Sequence, residues 1–426
     1  MKKEKAEPLG IPDAQGERAL VTGARSGGRA GGIEKSLLRR TLEMLGNPPL
    51  RVMLPTGETV CTSQQRPVAG LLIRDRAALF KLLSNPNLRF GDLYSAGRIE
   101  VEGDLAEFLE LIDRAMGSAS KHVGFLKRQV ARRLNRPRSN TLSGSRDNIH
   151  HHYDIGNAFY ALWLDHEMQY TCAYYPVPNC TLEQAQRAKM DHVCRKLQLK
   201  PGQSVVEAGC GWGGLARHMA RHYGVTVKAY NISHEQILYA RERAAAEGLS
   251  DKVEYIEDDY RTIRGQYDAF VSVGMLEHVG VSHYRTLGEV IARALKPSGR
   301  GLIHTIGRNK AEPMNAWIEK RIFPGAYPPT LREMMEIFEP QEFSILDVEN
   351  LRLHYARTLR HWLERFNASA DQVRAMFDEA FVRAWRLYLS GSIAAFTSGS
   401  LQLFQVVFAH STDNDVPWTR AHLYGA

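Results

Sequence analysis

The stretch Glu207 to Gly214, EAGCGWGG, sets four glycines directly behind the apolar run SVV. Glycines between a strand and a helix let a ligand approach the backbone without interference from Cβ atoms, and they aim the helix amides at it. A dinucleotide loop would read G-x-G-x-x-G, with an acid about 20 residues further on. Here the spacing is G-x-G-x-G-G, and the next apolar run ends in AYNIS with no carboxylate. The acids stand elsewhere: Glu207 at the end of the first run, and Asp258 with Asp259 behind the third. Carboxylates suit a cation and repel a pyrophosphate. S-adenosylmethionine, with a positive sulfonium and amino group and with adenine and ribose to hydrogen-bond, is the ligand that fits. A plain helix-entry turn is the alternative explanation of the glycines.

These residues need elements to position them. Glu207, Asn231, Asp258, Glu277 and His304 each fall at or just beyond the end of a predicted strand. The β-rich runs SVVEA, VTVKAY, KVEYIE, YDAFVSVG and GLIHTI alternate with amphipathic helical runs such as LARHMARHY, SHEQILYARERAAAEG and SHYRTLGEVIARAL. Strands alternating with helices predict a parallel, doubly wound α/β sheet, which takes its ligands at the carboxyl edge of the strands. The expected fold class is α/β, a doubly wound and mostly parallel sheet, with a smaller N-terminal α+β domain.

A chain of 426 residues allows about two or three domains. Residues 1–33, rich in Gly, Ala, Arg and charge, read as a disordered tail. Residues 34–118 mix helical and strand-like pieces and form a small N-terminal domain that would hold lipid or a partner subunit. Residues 119–148 read as a basic linker and 149–410 as the catalytic domain. The tail 411–426 has no evident reading. The net charge of +8 favours an acidic partner, nucleic acid or an anionic membrane surface. Lys121, Lys127, Arg128, Arg132, Arg133, Arg136 and Arg138 cluster without an acid, as a solvated helix face or as a docking surface. The five cysteines are odd in number and form no CxxC pair, which argues against disulfides and structural zinc and fits a reducing cytoplasm. No apolar run reaches the length of a membrane span, and none follows the basic start as in an export signal. His150, His151 and His152 are adjacent and cannot easily face one ion, so no metal is expected.

Further motifs, HYDIGNAFYALWLD, YTCAYY, MLEHVG, HTIG, FPGAYPP and HYARTLRHWLERF, join EAGCGWGG. Together they resemble the cyclopropane-fatty-acyl-phospholipid synthases and the related mycolic acid cyclopropane synthases, from FGDLYSAGRIEVEGDL to LQLFQVVFA. The resemblance implies a class I S-adenosylmethionine-dependent methyltransferase domain that turns the cis double bond of an unsaturated phospholipid acyl chain into a cyclopropane, with bicarbonate as base. It implies Cys172, Glu277, His304, Ile306 through its backbone amide, and Tyr355 as the bicarbonate ligands. It implies Tyr170, Thr171, Glu207, Gly209, Gly211, Asn231, Ile232, Gln236, Asp258 and Asp259 around the donor, with Gln236 serving the ribose in place of the missing acid. A homodimer, peripheral on the inner face of the cytoplasmic membrane and without nucleic acid, is expected.

The chemistry makes sense of these residue types. Alkene π electrons attack the sulfonium methyl, and the carbocation that results must lose a proton before water captures it. Glu277 and His304 could orient a small base and Tyr355 could add a hydrogen bond. The aromatic faces of NAFYALW could stabilise a cation by about 0.5–2 kcal/mol each when desolvated, in a dry pocket. Each residue also has a structural explanation: Cys172 as a packed core thiol, Glu277 as a helix-start acid, His304 as a satisfied core histidine. Ser392 stands where the family often has cysteine, and Ala326 with Tyr327 replaces the usual glycine and leucine of FPGG-L, which alters the acyl entrance. Rival readings are a carbon methyltransferase that stops at a methyl or methylene branch, a basic RNA methyltransferase, for which no motif exists beyond charge, and a lipid-binding protein with decayed catalysis.

Overall fold

The computed structural model describes residues 9–10, 32–120 and 155–424. The expected tail, the basic cluster Lys121–Arg138 and the three adjacent histidines lie almost wholly outside the described residues. The chain forms two compact units. One takes in Met1–Arg136, Pro313–Pro324 and Trp362–Ser400, and the other Pro137–Glu312, Gly325–His361 and Leu401–Ala426.

The first unit carries a four-stranded sheet of β1 (Leu50–Met53), β2 (Thr59–Val60), β3 (Ala69–Ile73) and β4 (Ile99–Glu102), in the order β2-β1-β3-β4. Only the β1–β3 pairing is parallel. The later segments belong here because their charges are satisfied here. Arg383 donates to the carbonyl of Tyr94 at 2.6 Å, pairs with Glu100 at 3.0 Å and lies over the Tyr94 ring. Arg321 pairs with the buried Asp92 at 3.1 Å.

The second unit is built on β5 (Ser204–Ala208), β6 (Thr226–Asn231), β7 (Val253–Glu257), β8 (Tyr267–Val273), β9 (Leu295–Gly307), β10 (Phe343–Asn350) and β11 (Gln402–His410), in the order β10-β11-β9-β8-β5-β6-β7. Every strand runs the same way except β11, which is antiparallel to both of its neighbours. Alternate residues of one strand enter different cores. Val205 packs with Val193, Leu215, Ile237 and Ala240, whereas Val206 packs with Phe270, Leu287, Ile303 and Ile337. Helices Leu182–Leu197, Gly214–Tyr223 and His234–Ala246 thus cover one face, and Tyr284–Ala294 and Leu331–Phe338 the other. Burial on both faces is why SVV and FVSV read as continuous apolar runs. The C-terminal tail packs back: Leu423 is buried, Arg420 pairs with Asp347 at 2.7 Å, and Arg300 donates to the carbonyl of Asp415 at 2.6 Å. Among the described residues no helix is long and apolar enough to cross a membrane.

Candidate active site

The strand order reverses at β5, with β6 and β7 on one side and β8 and β9 on the other. Such a switch point leaves a crevice at the carboxyl ends of the strands. A cavity of about 140 Å³ lies there, and Tyr170, Thr171, Glu207, Gly209, Gly211, Asn231, Ile232, Gln236, Asp258 and Asp259 all line it. The glycine loop is shaped by close approach. Gly209 and Gly213 sit at φ 83° and 76°, and a Cβ at Gly213 would meet the Tyr255 ring at 2.5 Å. Side chains on the far wall are set by one another. Asn231 donates to Gln236 Oε1 at 2.8 Å and to the carbonyl of Gly211 at 3.2 Å. Arg261 grips Asp259 through two nitrogens at 2.7 and 2.8 Å, so Asp258, half-buried beside it, is the more available carboxylate. Burial pushes the carboxyl of Glu207 up to about 7, against the pull of Lys189 and Arg217, and its Oε2 has no hydrogen-bond partner among the described residues.

An aromatic wall closes one side. Tyr170 and Trp212 line the cavity, and the buried Tyr160 packs against both, at centroid distances of 5.4 and 5.0 Å. Trp163 backs Tyr170 at 5.3 Å. The segment NAFYALW thus supports the rings that line the cavity.

Cys172, Glu277, His304, Ile306 and Tyr355 do not line this cavity; the first three adjoin residues that do. Cys172 follows Thr171, Glu277 precedes the cavity-lining His278, and the carbonyl of His304 accepts from the amide of Gly274 at 2.9 Å. The structure brings Glu277 and Ile306 together, and sets His304 beside Gln405. Glu277 Oε1 accepts from the Ile306 amide at 2.5 Å, so the amide expected to face a ligand is engaged by the carboxylate. Burial raises the Glu277 carboxyl to about 7, and its Oε2 is buried without a partner among the described residues. On β11, Gln405 Nε2 lies 3.1 Å from His304 Nδ1. An amide that donates to Nδ1 leaves the ring proton on Nε2, which is likewise buried and without a partner among the described residues. Burial drives the His304 pKa well below its ordinary value, so the ring is neutral.

Cys172 and Tyr355 form a second group. The thiol lies 3.9 Å from the carbonyl of Leu351, the same carbonyl that accepts from the Tyr355 amide at 3.1 Å. Burial raises the Cys172 pKa, which keeps it a thiol and suits it to packing and weak donation rather than nucleophilic attack. The strand-like YTCAYY segment is sewn to the HYART helix: Ala173 N donates to Thr358 Oγ1 at 3.0 Å and Tyr175 N to His354 Nδ1 at 2.9 Å. Tyr174 stacks between His192 and His354, at 4.2 and 5.0 Å. Among the described residues no group of three or more His, Cys, Asp or Glu could hold a metal ion.

Several residues of the site escape sequence reasoning. Trp212 lies inside the glycine loop and His278 inside MLEHVG, so a signal is present for both. Gln405 and the buried Lys189 carry none, because each is placed by tertiary packing far from its partners in sequence.

The comparisons with known proteins agree with this geometry. Residues 141–406 match the family described as "Mycolic acid cyclopropane synthetase". A "Probable fatty acid methyltransferase" of Pseudomonas putida is 36% identical over 388 residues, which is 88% of this chain and 96% of that one. The "Cyclopropane-fatty-acyl-phospholipid synthase" of Escherichia coli strain K12 is 44% identical over 264 residues, 62% of this chain and 68% of that one. Among solved structures, mycolic acid cyclopropane synthase CmaA1 complexed with SAH and CTAB superposes with a TM-score of 0.59 at 28% identity, covering 62% of this chain and 97% of that one. The chain therefore belongs to the mycolic acid cyclopropane synthetase family, and it is an S-adenosylmethionine-dependent methyltransferase or cyclopropane synthase.

Proposed function

We propose that the protein is a cyclopropane-fatty-acyl-phospholipid synthase, which transfers a methylene from S-adenosylmethionine to the cis double bond of unsaturated phospholipid acyl chains. The observation that carries this reading is Glu277, whose Oε1 is held by the Ile306 amide and whose buried Oε2 is partnerless among the described residues, directly before the cavity-lining His278. A small oxyanion bearing one proton would donate to that carboxylate oxygen. Bicarbonate is the group the family implies, and when bound it supplies the base that takes the proton from the newly transferred carbon. Glu277 would orient it, with the Ile306 amide fixing the carboxylate, and His304 would hold it as a neutral donor. The resemblance would add Cys172, a neutral thiol, and Tyr355. Glu207 and Asp258 suit the donor's cationic amino group and its ribose or adenine donors, and Asn231 with Gln236 adds further polar contacts. The rings of Tyr170 and Trp212, backed by Tyr160 and Trp163, exclude water and favour a passing carbocation. The relative named for phospholipid supports that substrate, and the basic cluster supports docking on an anionic surface as a peripheral, cytoplasmic homodimer.

A second reading, a lipid carbon methyltransferase that leaves a methyl or methylene branch, is favoured by the fatty acid methyltransferase relative, whose similarity covers 88% of this chain. Incubation of the protein with S-adenosylmethionine and vesicles of unsaturated phospholipid, followed by fatty-acid mass spectrometry and proton NMR, tests both. Gain of one CH₂ with loss of the alkene and upfield ring protons is the expected result. A branched product would replace the first reading by the second. Methyl transfer to RNA with none to lipid would remove both.

A further inference from the structure

Lys189, in the middle of the helix Leu182–Leu197, is fully buried. Its Nζ donates to Gln169 Oε1 at 2.5 Å and to Thr171 Oγ1 at 3.0 Å, both neutral groups of residues that line the donor cavity. One turn earlier Gln186 Nε2 donates to the carbonyls of Thr171 at 2.9 Å and Gln169 at 3.3 Å. The helix starts at a capping box between Thr181 and Gln184. Burying an ammonium away from a direct carboxylate partner costs several kcal/mol, and an apolar side chain of the same length would pack there at less cost. Packing therefore does not account for this lysine.

We propose that Lys189 is a positioning residue of the donor cavity: its ammonium ties Gln169 and Thr171 into the wall and balances the Glu207 carboxylate until a cationic donor takes over that balance. The inference rests on the reading that the cavity binds S-adenosylmethionine. The groups that face Lys189 are the carboxyls Asp165 and Glu207 and the thiols Cys172 and Cys194, with Arg217 acting on Glu207 and the neutral His304 within its field. Burial has already lowered the Lys189 pKa to about 8, with the carboxylates of Asp165 and Glu207 holding it up. A cation arriving beside Glu207 competes for the same negative charge, so the ammonium becomes easier to deprotonate and donor binding releases a proton in mildly alkaline solution.

Calorimetric titration of S-adenosylmethionine into the whole protein at pH 8, in two buffers of different ionisation enthalpy, counts that proton. A further fall of about one pKa unit releases about 0.4 proton per donor bound at pH 8, and Glu207 adds less than about 0.1 there. Lys189→Met should raise the donor KM about tenfold while kcat changes less than about threefold. Donor binding to the parent protein with no proton release at pH 8 would overturn the inference, as would an unchanged donor KM in the variant. If Lys189→Met does not fold, the parent's proton count decides. Failure of the donor to bind at all would overturn the cavity reading, and this inference with it.

Discussion

Replacing Glu277 by glutamine isolates the carboxylate that holds two roles. The new side-chain amide would keep an oxygen for the Ile306 amide but would place an N–H where the partnerless Oε2 now lies. An acceptor for the base thus becomes a donor. Losing a hydrogen bond to a charged group costs about 1.5–3 kcal/mol, which corresponds to a fall of roughly 10- to 150-fold in kcat. Because Glu277 does not line the donor cavity, the donor KM should stay within about twofold. The assay is methylene transfer from labelled donor to unsaturated vesicles under saturating lipid. Stability moves in the opposite sense. Burial raises the carboxyl from 4.5 to about 7, which means that the folded protein disfavours its charged form by about 3 kcal/mol. The stability that Glu277 contributes is complete below pH 4.5 and is lost as pH rises through about 7. The glutamine variant should therefore gain stability relative to the parent across that window and hold the gain above it. Parallel pH–stability curves, or an unchanged kcat, would refute the reasoning.

Other substitutions probe the neighbouring parts of the site and the surface. Gln405→Leu removes the partner of His304 Nδ1 and frees the ring to change tautomer, so kcat should fall about tenfold or more while donor affinity by calorimetry is unchanged. Asp258→Asn removes the available cavity carboxylate and should raise the donor KM about tenfold with little effect on kcat; an unchanged KM would take Asp258 out of donor binding. Gly213→Ala forces a Cβ into the Tyr255 ring at positive φ and should cost about 2 kcal/mol or more, read as a lower urea midpoint. Sedimentation with anionic vesicles should fall steeply between low and physiological salt, given the excess of +8, and salt-insensitive binding would remove the electrostatic part of docking.

Residues placed by short-range rules are legible in the amino-acid sequence. The glycine spacing, the acid at the end of SVVEA and the Asp258–Asp259 pair each follow from a strand, a turn and the edge of a sheet, and all ten expected donor residues line one cavity. Of the expected base-site residues, Glu277 and His304 show in the sequence as polar groups at strand ends, whereas Cys172 and Tyr355 are legible only through resemblance, because they come from segments that periodicity does not relate. Lys189 and Gln405 are not legible at all. A lysine in an amphipathic helix reads as solvated, and LQLFQVVFA reads as a strand without saying which neighbours it will join. Likewise the periodicity of Glu379–Ser398 marks a helix but does not say that Arg383 will find Tyr94 and Glu100 in the first unit.

The placement of β11 gives the molecule an order of assembly. The lining of the donor cavity comes from a contiguous stretch, Met168 to Val279, whereas the strand that steadies His304 is near the end of the chain and inserts between β9 and β10. During synthesis a growing chain can shape its nucleoside crevice well before Gln405 has emerged from the ribosome. On the proposed reading the part that removes the proton is completed last, so a product truncated before β11 would hold the donor crevice without the means to close the ring.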